Sequence, residues 1–477
     1  MTVSKIAVCP TCGKTTLLRI QDGGYLKNYP IRVNCMNCKT LIKGVYNTEK
    51  YHNGLTLYNT GIREPNAEYI TINNKNEINI KNADYIAEIS GELPCRMIQK
   101  NKGVLPLSPF LSSVSYLNSM PDRIKRLKDF VPNLEIWDKK KSIAFQLLSD
   151  GSIKYISAAL NNKFGNYTYE CDHYLKSLHC LQEIVLEETR YLFIDEKIEK
   201  YISDVIYNLS ELDRTQILKF IDEINGAEEL VYAYRRVIEV FTNFMNIYKY
   251  LLPAETYMYF TNKKVENSYI STCTFDDVKA FYQDAYESFA SLLFVPVCLD
   301  NIKQRGDFNS FSEAFKSVKK SYNGVRNLQW YKSLDNGTRI NKIDLNEYYQ
   351  NIINLPTKVK LRNAIGHNNF DYDGITQIVK AYSIKNKEKI EYEEKLMNIA
   401  IDCLNLAKSS VIYSEIILFL LRVKFDTQGI HSIIHPDFYK KTSAYDKCPC
   451  GSGLSYKRCC EKTITNLLKQ NKNSHFR

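Results

Sequence analysis

The sequence predicts an α+β protein of several domains, and three observations lead to this prediction. Paired cysteines lie near both ends of the chain, within residues 9–38 and 448–460. Short alternating runs predict strands in the first third, whereas apolar residues recur at helical spacing from about residue 174 onwards. The length of 477 residues also exceeds what one hydrophobic core usually organises. We therefore expect two small zinc modules, a β-rich region and a large all-α domain.

The predicted domains follow one another along the chain. Residues 1–45 form a zinc ribbon, 46–170 a β-rich or mixed region, 171–437 a helical domain, and 438–477 a second zinc module. Strands are predicted at residues 68–73, 77–80, 143–148 and 153–157, and a small hairpin around residues 385–387. Helices are predicted at residues 174–193, 198–209, 213–224, 228–252, 275–299, 345–353, 357–367 and 394–423.

Composition and hydropathy indicate a soluble protein of the cytoplasm without a membrane partner. Hydrophobic residues make up 44% of the chain and charged residues 25%, as in ordinary globular proteins. The most apolar stretches are broken by Pro296 and by Ser414 and Glu415, whereas a spanning helix needs about 20 apolar residues. Because Met1 to Cys9 has no long apolar core and no small-residue cleavage site, we expect no secretion signal. Because cytoplasmic thiols stay reduced, clustered cysteines are expected to bind metal rather than to form disulfides.

The positive charge is concentrated at the two ends. Residues 1–50 hold eight Lys or Arg and two Asp or Glu, and residues 438–477 hold nine and two, giving +6 and +7. The net charge of the whole chain is +11, so the middle is near −2. Basic ends on a nearly neutral body favour contact with a polyanion such as RNA. The alternative is that basic tails only aid solubility.

The N-terminal cysteines form two C-x2-C pairs, Cys9 with Cys12 and Cys35 with Cys38. Two knuckles of this spacing bring four sulfurs to tetrahedral distance around one Zn²⁺ ion. The stretch between the pairs is long enough for two strands. The pattern therefore predicts a structural zinc ribbon, a module type that contacts nucleic acid or protein.

The C-terminal cysteines Cys448, Cys450, Cys459 and Cys460 form a C-x-C pair followed by a C-C pair. The Gly-Ser-Gly after Cys450 allows the tight reversal between the pairs. This segment resembles the SEC-C motif, a short bacterial zinc module. The resemblance implies a second structural Zn²⁺ and a docking surface for a partner, including one linked to translation or secretion, but no reaction.

Weaker metal candidates are two further groups of histidine and cysteine. Cys171, His173, His179 and Cys180 lie close in sequence but do not share one helix face. His431 and His435 lie four residues apart, without a third ligand nearby in the chain. We expect both groups to be ordinary packed or surface residues.

The segment 357–367 carries the candidate active site. On a helix, Leu361, Ala364 and Ile365 form an apolar stripe facing the core, and Arg362, Asn363 and His367 lie on the opposite side. Gly366 leaves that polar face uncrowded. A cation, an amide and an imidazole therefore share one helix face with room for a ligand.

These groups suit metal-independent cleavage of RNA. His367 can serve as general base or acid near neutral pH, and Arg362 can bind the phosphate oxygens as negative charge develops. Asn363 can orient the imidazole or the phosphate. Attack by the 2′-hydroxyl would leave a 2′,3′-cyclic phosphate. Because one helix supplies one histidine, a twofold homodimer is expected to complete the site.

The run from Arg362 to His367 resembles the R-x4–6-H motif of HEPN superfamily ribonucleases, in their abortive-infection branch. The resemblance covers about residues 270–425 and implies a HEPN-like helical core, endoribonuclease activity, and a role as a toxin or in defence against phage. It also implies a further charged residue from an earlier helix, with Asp284, Glu287 and Arg305 as candidates. The alternative function is a non-catalytic adaptor whose zinc modules bind nucleic acid or protein.

Overall fold

A computed structural model of the chain shows a mixed α+β protein. The structure describes residues 2–63, 70–72, 78–80, 83–103, 107–114, 163–164, 167–168, 173–190, 196–260, 267–313, 315, 326–342, 358–383, 386, 388–432, 434, 436–439 and 441–474. The chain divides into two compact units. The first comprises Met1–Val131, Asn243–Asp284 and Lys358–Asn405, and the second comprises Pro132–Thr242, Ala285–Thr357 and Leu406–Arg477. Each unit is assembled from three separate stretches, whereas the sequence interpretation drew continuous domains.

The strands of the described ranges are mostly short and lie in six small sheets. In chain order they are β1 Thr2–Val8, β2 Thr15–Gln21, β3 Asn28–Asn34, β4 Leu41–Asn47, β5 Leu55–Leu57, β6 Ile62–Arg63, β7 Ile70–Ile72, β8 Ile78–Ile80, β9 Tyr85–Ser90, β10 Cys95–Arg96, β11 Gln99–Lys100, β12 Lys163–Phe164, β13 Tyr167–Thr168, β14 Ser268–Tyr269, β15 Phe370–Asp373, β16 Ile378–Tyr382 and β17 Ile390–Lys395. The runs predicted at residues 68–73 and 77–80 contain β7 and β8, which pair antiparallel. The strands predicted at residues 143–148 and 153–157 lie outside the described residues.

The longer helices between residues 174 and 426 lie where apolar periodicity predicts them, whereas the helices at residues 109–114, 328–332, 336–341 and 461–474 were not predicted. The helices of the described ranges are α1 Pro109–Val114, α2 Tyr174–Arg190, α3 Glu196–Ser210, α4 Arg214–Glu223, α5 Ala227–Met258, α6 Phe275–Leu292, α7 Phe294–Arg305, α8 Leu328–Lys332, α9 Asn336–Asn341, α10 Val359–Gly366, α11 Leu396–Asp426 and α12 Glu461–Ser474. The helix predicted at residues 345–353 lies outside the described residues.

The first unit contains a five-stranded sheet in the order β11-β9-β2-β1-β6. β1 and β2 form an antiparallel hairpin, and β9 joins parallel to β2. β3, β4 and β5 form a separate antiparallel sheet. The stretch between the two N-terminal cysteine pairs therefore supplies two strands, as its length predicts, but β2 and β3 lie in different sheets. The zinc ribbon predicted for residues 1–45 shares its sheet with β9.

Apolar side chains from both sheets form the core of the first unit. This core includes Leu18, Ile31, Ile42, Ala87 and Ile89, all buried. All six residues of β9 are buried, since the strand is paired on both sides. A third sheet, β15-β16-β17, is antiparallel and follows α10 directly. It contains the hairpin predicted around residues 385–387, formed by β16 and β17.

Two prolines alter the predicted helix boundaries in opposite ways. The single helix predicted at residues 275–299 is two helices, because α6 ends at Leu292 and α7 begins at Phe294. Pro296 lies in the first turn of α7, where its missing N–H needs no helical partner, and its ring disfavours a continuous helix. By contrast, α5 continues through Pro253 to Met258, six residues beyond its predicted end. Burial of Leu252 and Ala254 on both sides of the proline offsets the lost hydrogen bond.

One helix of the described residues, α11, is long and apolar enough by length and composition to cross a membrane. In its most apolar stretch of 18 residues, 89% is buried inside the protein. Such burial is typical of the core helix of a folded domain. In the second unit, for example, Tyr413 of α11 packs against Phe289 of α6, with 5.3 Å between the ring centroids.

Candidate metal centres and candidate active site

The four N-terminal cysteines converge at the ends of two hairpins. Cys9 and Cys12 lie between β1 and β2, and Cys35 and Cys38 lie between β3 and β4. Their four sulfurs are within 4.8 Å of one another. Cys9 Sγ lies 3.4 Å from Cys38 Sγ, and Cys12 Sγ lies 3.6 Å from Cys35 Sγ. These separations fit four ligands around one tetrahedral ion, so the cluster can hold a metal ion.

The two N-terminal turns repeat one backbone pattern. In the first, the N–H of Cys9 donates to the carbonyl of Lys14, and the N–H of Gly13 donates back to Cys9. The second turn repeats both bonds. Gly13 and Lys39 follow the second cysteine of their pairs with φ of 69° and 62°. The left-handed conformation at this position turns the chain so that both cysteines of a pair face the same point.

The surroundings of the N-terminal sulfurs differ in polarity. The hydroxyl of Thr40 lies 3.2 Å from Cys38 Sγ. This hydroxyl and the Thr40 backbone N–H lower the pKa of Cys38 to about 6, because they stabilise the thiolate. Burial instead raises the pKa of Cys35 to about 12. Cys38 is therefore better prepared than Cys35 to bind a cation, and four thiolates would form a closed site of structural type.

The C-terminal centre is built by a compact turn in the second unit. The N–H of Cys448 donates to the carbonyl of Leu454, and Gly451 and Gly453 adopt φ of 88° and 79°. A β-carbon at Gly451 would lie 2.9 Å from Val423 Cγ2, so only glycine lets the turn pack this closely on α11. Glycine is needed here for both its backbone conformation and its small size.

The sulfurs of the C-terminal centre lie close enough to one another to bind one shared ion. Cys459 Sγ is 3.5 Å from Cys450 Sγ and 3.6 Å from Cys460 Sγ. Cys448, the remaining cysteine of the motif, is fully buried. Its thiol, more than any other group, lowers the pKa of Cys450 to about 5 through a hydrogen bond to the thiolate. The centre therefore gathers all the cysteines that the C-x-C and C-C pairs predict.

His431 joins this centre from outside the motif. Its Nε2 lies 3.3 Å from Cys460 Sγ and 3.8 Å from Cys459 Sγ. His431 Nε2 and the sulfurs of Cys450, Cys459 and Cys460 are all within 4.8 Å of one another. Hydrogen bonds with the thiolates of Cys450 and Cys459 raise the pKa of His431 to about 10. The spacing along the chain predicts that His431 is an ordinary packed or surface residue. Its position among the cysteines corrects that prediction.

The other weak metal candidates that lie in the described ranges do not converge. His173 Nδ1 accepts a hydrogen bond from the N–H of Leu175, and His179 is buried 3.5 Å from Arg422. Cys180 is buried. Cys171 and His435 lie outside the described residues. Within the described ranges, the groups of Cys and His that could share an ion are the N-terminal and C-terminal centres.

The candidate active site lies at the C-terminal end of α10, in the first unit. Leu361, Ala364 and Ile365 are buried, whereas Gly366 and His367 are exposed. Arg362 and Asn363 are half-buried, and Arg362 Nη1 donates to Asn363 Oδ1 at 2.9 Å. The guanidinium and the amide therefore touch at the surface, and His367 follows one turn later.

The end of α10 is held firmly. Asn368 has φ of 52°, and the N–H of Asn369 donates to the carbonyl of Ala364 at 2.7 Å. This is a left-handed helix cap, in which asparagine is favoured after glycine. The Asn369 side chain donates to the carbonyls of Tyr382 and Ser383. These bonds fix the backbone next to His367 onto β16.

The neighbouring helix α6 adds polar groups beside α10. A β-carbon built at Gly366 would lie 3.5 Å from Gln283 Nε2, so the Gln283 amide lies close to the exposed glycine. One turn earlier, Lys279 Nζ lies 5.2 Å from the ring centroid of Phe370, the first residue of β15. Sequence reasoning missed Gln283 and Lys279, because only packing brings α6 next to α10.

The charged residues proposed from earlier helices have other contacts. Asp284 is exposed and accepts a hydrogen bond from Asn243 at 3.1 Å. In the second unit, Glu287 accepts a hydrogen bond from a side-chain amide of α9, and Arg305 pairs with the buried Asp300 at 3.1 Å. These contacts give Glu287 and Arg305 a structural role in that unit.

Comparison with known proteins supports the C-terminal centre alone. The family model of the SEC-C motif matches residues 446–462, which include all four C-terminal cysteines. No curated protein matches the chain, and no solved structure matches it. The chain therefore carries a SEC-C motif at its C-terminus, together with a second cysteine cluster near its N-terminus that could also bind a metal ion.

Proposed function

We propose that the protein is a metal-independent endoribonuclease of HEPN type, with Arg362, Asn363 and His367 as its catalytic residues. The observation that carries the proposal is the division of α10 into two faces. The helix buries its apolar stripe and leaves a guanidinium, an amide and an imidazole at the surface beside Gly366. These are the groups that phosphodiester cleavage needs, at a place that a polynucleotide can reach.

Each residue has a distinct part in the proposed reaction. His367 takes the proton from the ribose 2′-hydroxyl, or donates one to the departing 5′-oxygen. Arg362 binds the phosphate oxygens as the charge of the transition state develops. Asn363 keeps the guanidinium in place, because its Oδ1 accepts a hydrogen bond from Arg362 Nη1 at 2.9 Å. The products are a 2′,3′-cyclic phosphate and a 5′-hydroxyl. DNA is not cleaved, because it lacks the 2′-hydroxyl that attacks the phosphate.

The proposed reaction requires a second proton-transfer group. Acid–base cleavage proceeds best when one group removes a proton and another supplies one. A twofold dimer that apposes two copies of α10 would supply a second His367 from one sequence. We therefore propose a homodimer as the active form, with the metal centres as structural zinc modules that dock RNA or a protein partner. A role in growth arrest or phage defence is part of the same proposal.

The direct test compares cleavage by His367→Ala and Arg362→Ala with the unaltered chain. Loss of a general acid or base reduces cleavage by roughly 10²–10⁴-fold. Lys360→Ala is the matched control, because it removes another cation of α10, whose Nζ contacts the Glu391 carbonyl at 3.4 Å. The substrates are an RNA, the same RNA with 2′-O-methyl groups, and the corresponding DNA, each with a chelator present. Full activity of His367→Ala would overturn the proposal.

A second candidate function is a non-catalytic adaptor, favoured by the surface of the C-terminal module. Tyr445 is 82% exposed, and Lys457 Nζ lies 5.7 Å from its ring centroid. An exposed ring next to cations can stack on a base of single-stranded RNA, which contributes about 1–3 kcal/mol per base. In this case Tyr445→Ala weakens salt-sensitive RNA binding, whereas Tyr58→Ala, also at an exposed tyrosine, does not. His367→Ala would then have no effect.

A further inference from the structure

The N-terminal centre joins two hairpins that belong to different sheets of the first unit. The first cysteine pair lies between β1 and β2, and the second pair, Cys35 and Cys38, lies between β3 and β4. Across the two hairpin tips the hydroxyl of Thr40 also donates to that of Thr11, at 2.8 Å. This bond is exposed, so water competes for both groups and the bond adds little stability. A shared ion is therefore the stronger link between the tips.

The turn that holds the second pair, residues 34–40, is here called the second knuckle. The Asn34 side chain closes it by donating from Nδ2 to the carbonyl of Lys39 at 2.8 Å. The N–H of Lys39 donates in turn to the carbonyl of Cys35 at 2.8 Å. Lys39 has φ of 62°, which is unfavourable for a residue with a side chain. An ion bound by Cys35 and Cys38 holds the knuckle in this conformation.

The second knuckle grips the turn between β15 and β16. Lys39 Nζ lies 2.9 Å from Asp373 Oδ2, and the other oxygen of this carboxylate accepts hydrogen bonds from two backbone N–H groups of the turn. A β-carbon at Gly374 would lie 2.3 Å from Asn34 Oδ1, so only glycine fits against the knuckle. The residues that close the knuckle are therefore the same residues that contact the β15–β16 turn.

The two strands carry this contact on to the end of α10. β15 begins at Phe370, three residues after His367, and pairs with β16 along its whole length. At the far end of the pair, the Asn369 side chain donates to the carbonyls of Tyr382 and Ser383. The N–H of Tyr382 donates back to the carbonyl of Asn369 at 3.0 Å. The backbone that carries His367 is thus continuous with the turn that the second knuckle holds.

We propose that the N-terminal centre is a metal-dependent switch for the candidate active site. An ion bound by the four cysteines fixes the second knuckle, which in turn holds the β15–β16 turn and the end of α10. When the ion leaves, the knuckle loosens and the backbone next to His367 loses this support. The coupling between the centre and the turn needs no cleavage. Only its consequence for activity rests on the proposed function.

The first test uses the reciprocity of the coupling. If the ion steadies the turn, disturbing the turn weakens metal binding by the same factor. Asp373→Ala is therefore expected to lower the Zn²⁺ affinity of the N-terminal centre by about fivefold. Asp371→Ala is the matched control, because this carboxylate of the same strand accepts a hydrogen bond from Tyr382 instead. Equal affinities of the two variants would overturn the proposal.

The affinities are measured by competition with a chromogenic chelator in the full chain. All variants carry Cys450→Ser and Cys459→Ser, which remove two donors of the C-terminal centre. One Zn²⁺ ion per chain then reports the N-terminal centre.

The second test measures amide hydrogen exchange in the zinc-loaded full chain. Cys35→Ser with Cys38→Ser removes the ion of the N-terminal centre, and exchange in residues 369–377 is expected to become about tenfold faster. Cys450→Ser with Cys459→Ser is the control and should leave these amides unchanged. The amides of β9, Tyr85–Ser90, should stay protected in both variants.

Two outcomes of the exchange experiment would refute the proposal. Unchanged exchange in residues 369–377 after loss of the N-terminal ion would show that the turn does not depend on the centre. Equally faster exchange in β9 would show that the ion supports the whole unit and is no switch. Because neither readout depends on RNA cleavage, failure here is distinct from failure of the nuclease proposal.

Discussion

Lys39 and Asp373 are 334 residues apart in the sequence, yet Lys39 Nζ lies 2.9 Å from Asp373 Oδ2. Lys39 follows the second cysteine pair of the N-terminal centre, and Asp373 ends β15, the strand after the candidate active site. At the same contact, a β-carbon at Gly374 would lie 2.3 Å from Asn34 Oδ1. The N-terminal centre and the strand that follows His367 therefore pack directly against each other within the first unit.

This contact predicts a graded response to substitution. Asp373 holds its turn with hydrogen bonds from the N–H groups of Ile375 and Thr376, in addition to its ion pair. We expect Asp373→Ala to destabilise the first unit by about 1–2 kcal/mol, because it removes all three interactions. Lys39→Ala removes only an exposed ion pair and should cost less than about 1 kcal/mol. Hydrogen exchange of the β15–β16 turn measures both changes, and equal effects would contradict this explanation.

The left-handed turn in the first cysteine pair predicts a cost for any side chain at Gly13. Gly13 has φ of 69°, and no atom lies within 4 Å of a β-carbon built there. Gly13→Ala should therefore lower stability by about 1 kcal/mol through backbone strain alone. Gly24 also has open space but no positive φ, so Gly24→Ala is the matched control. Thermal unfolding of the metal-loaded chain would compare them, and equal midpoints would contradict the prediction.

The partly buried ion pair before α10 predicts a pH dependence of stability. Lys358 Nζ lies 2.5 Å from Asp402 Oδ2 and 3.1 Å from Glu394 Oε2. The pKa of Asp402 is raised to about 6, mainly because the carboxyl is removed from water. The positive charge of Lys358 opposes this rise, and the negative charge of Glu394 adds to it. The folded state thus holds this proton more tightly than the unfolded chain does. The contribution of Asp402 to stability is complete below about pH 4 and is lost as the pH rises through about 6.

Substitution of Asp402 should remove this pH dependence. Between pH 4 and pH 7, Asp402→Asn is expected to gain stability relative to the unaltered chain, by up to about 3 kcal/mol. Asp371→Asn, at an exposed carboxylate of the same unit, is the control. The free energy of unfolding in urea, measured at several pH values, gives the difference directly. A difference that stays constant across this range would contradict the assignment.

The buried charges of α11 predict a non-additive pair of substitutions in the second unit. Glu415 and Arg422 are each only 2% exposed. Burial raises the pKa of Glu415, and the nearby guanidinium of Arg422 opposes this shift. Arg422→Met removes the cation whose charge opposes this shift, so it should lower stability near neutral pH by roughly 1–2 kcal/mol. Adding Glu415→Gln should recover part of that loss.

A buried tryptophan makes this last prediction measurable. Trp330 lies in the second unit and is fully buried. Its fluorescence during urea unfolding therefore reports that unit. Additive effects of the two substitutions would show that Glu415 and Arg422 do not depend on each other.

Local patterns in the sequence were enough to predict most of the longer helices and the grouping of most metal ligands. The C-x2-C pairs predict the N-terminal centre, because a sulfur at each end of a tight turn faces the same point whatever the rest of the chain does. The spacing of Leu361, Ala364 and Ile365 predicts which side of α10 is buried, because a helix repeats every 3.6 residues. This information lies in residues that are close in sequence, so it does not depend on how the domains are arranged.

Only the tertiary structure decided which distant residues meet. His431 joins the C-terminal cysteines, Gln283 lies beside Gly366, and β9 pairs parallel with β2, although nothing in their local sequence indicates a partner. These contacts depend on how elements pack, and packing is determined by the complementary shape of many side chains at once. The sequence by itself therefore determined the donor groups and the helix faces, whereas the folded chain decided the full composition of each site.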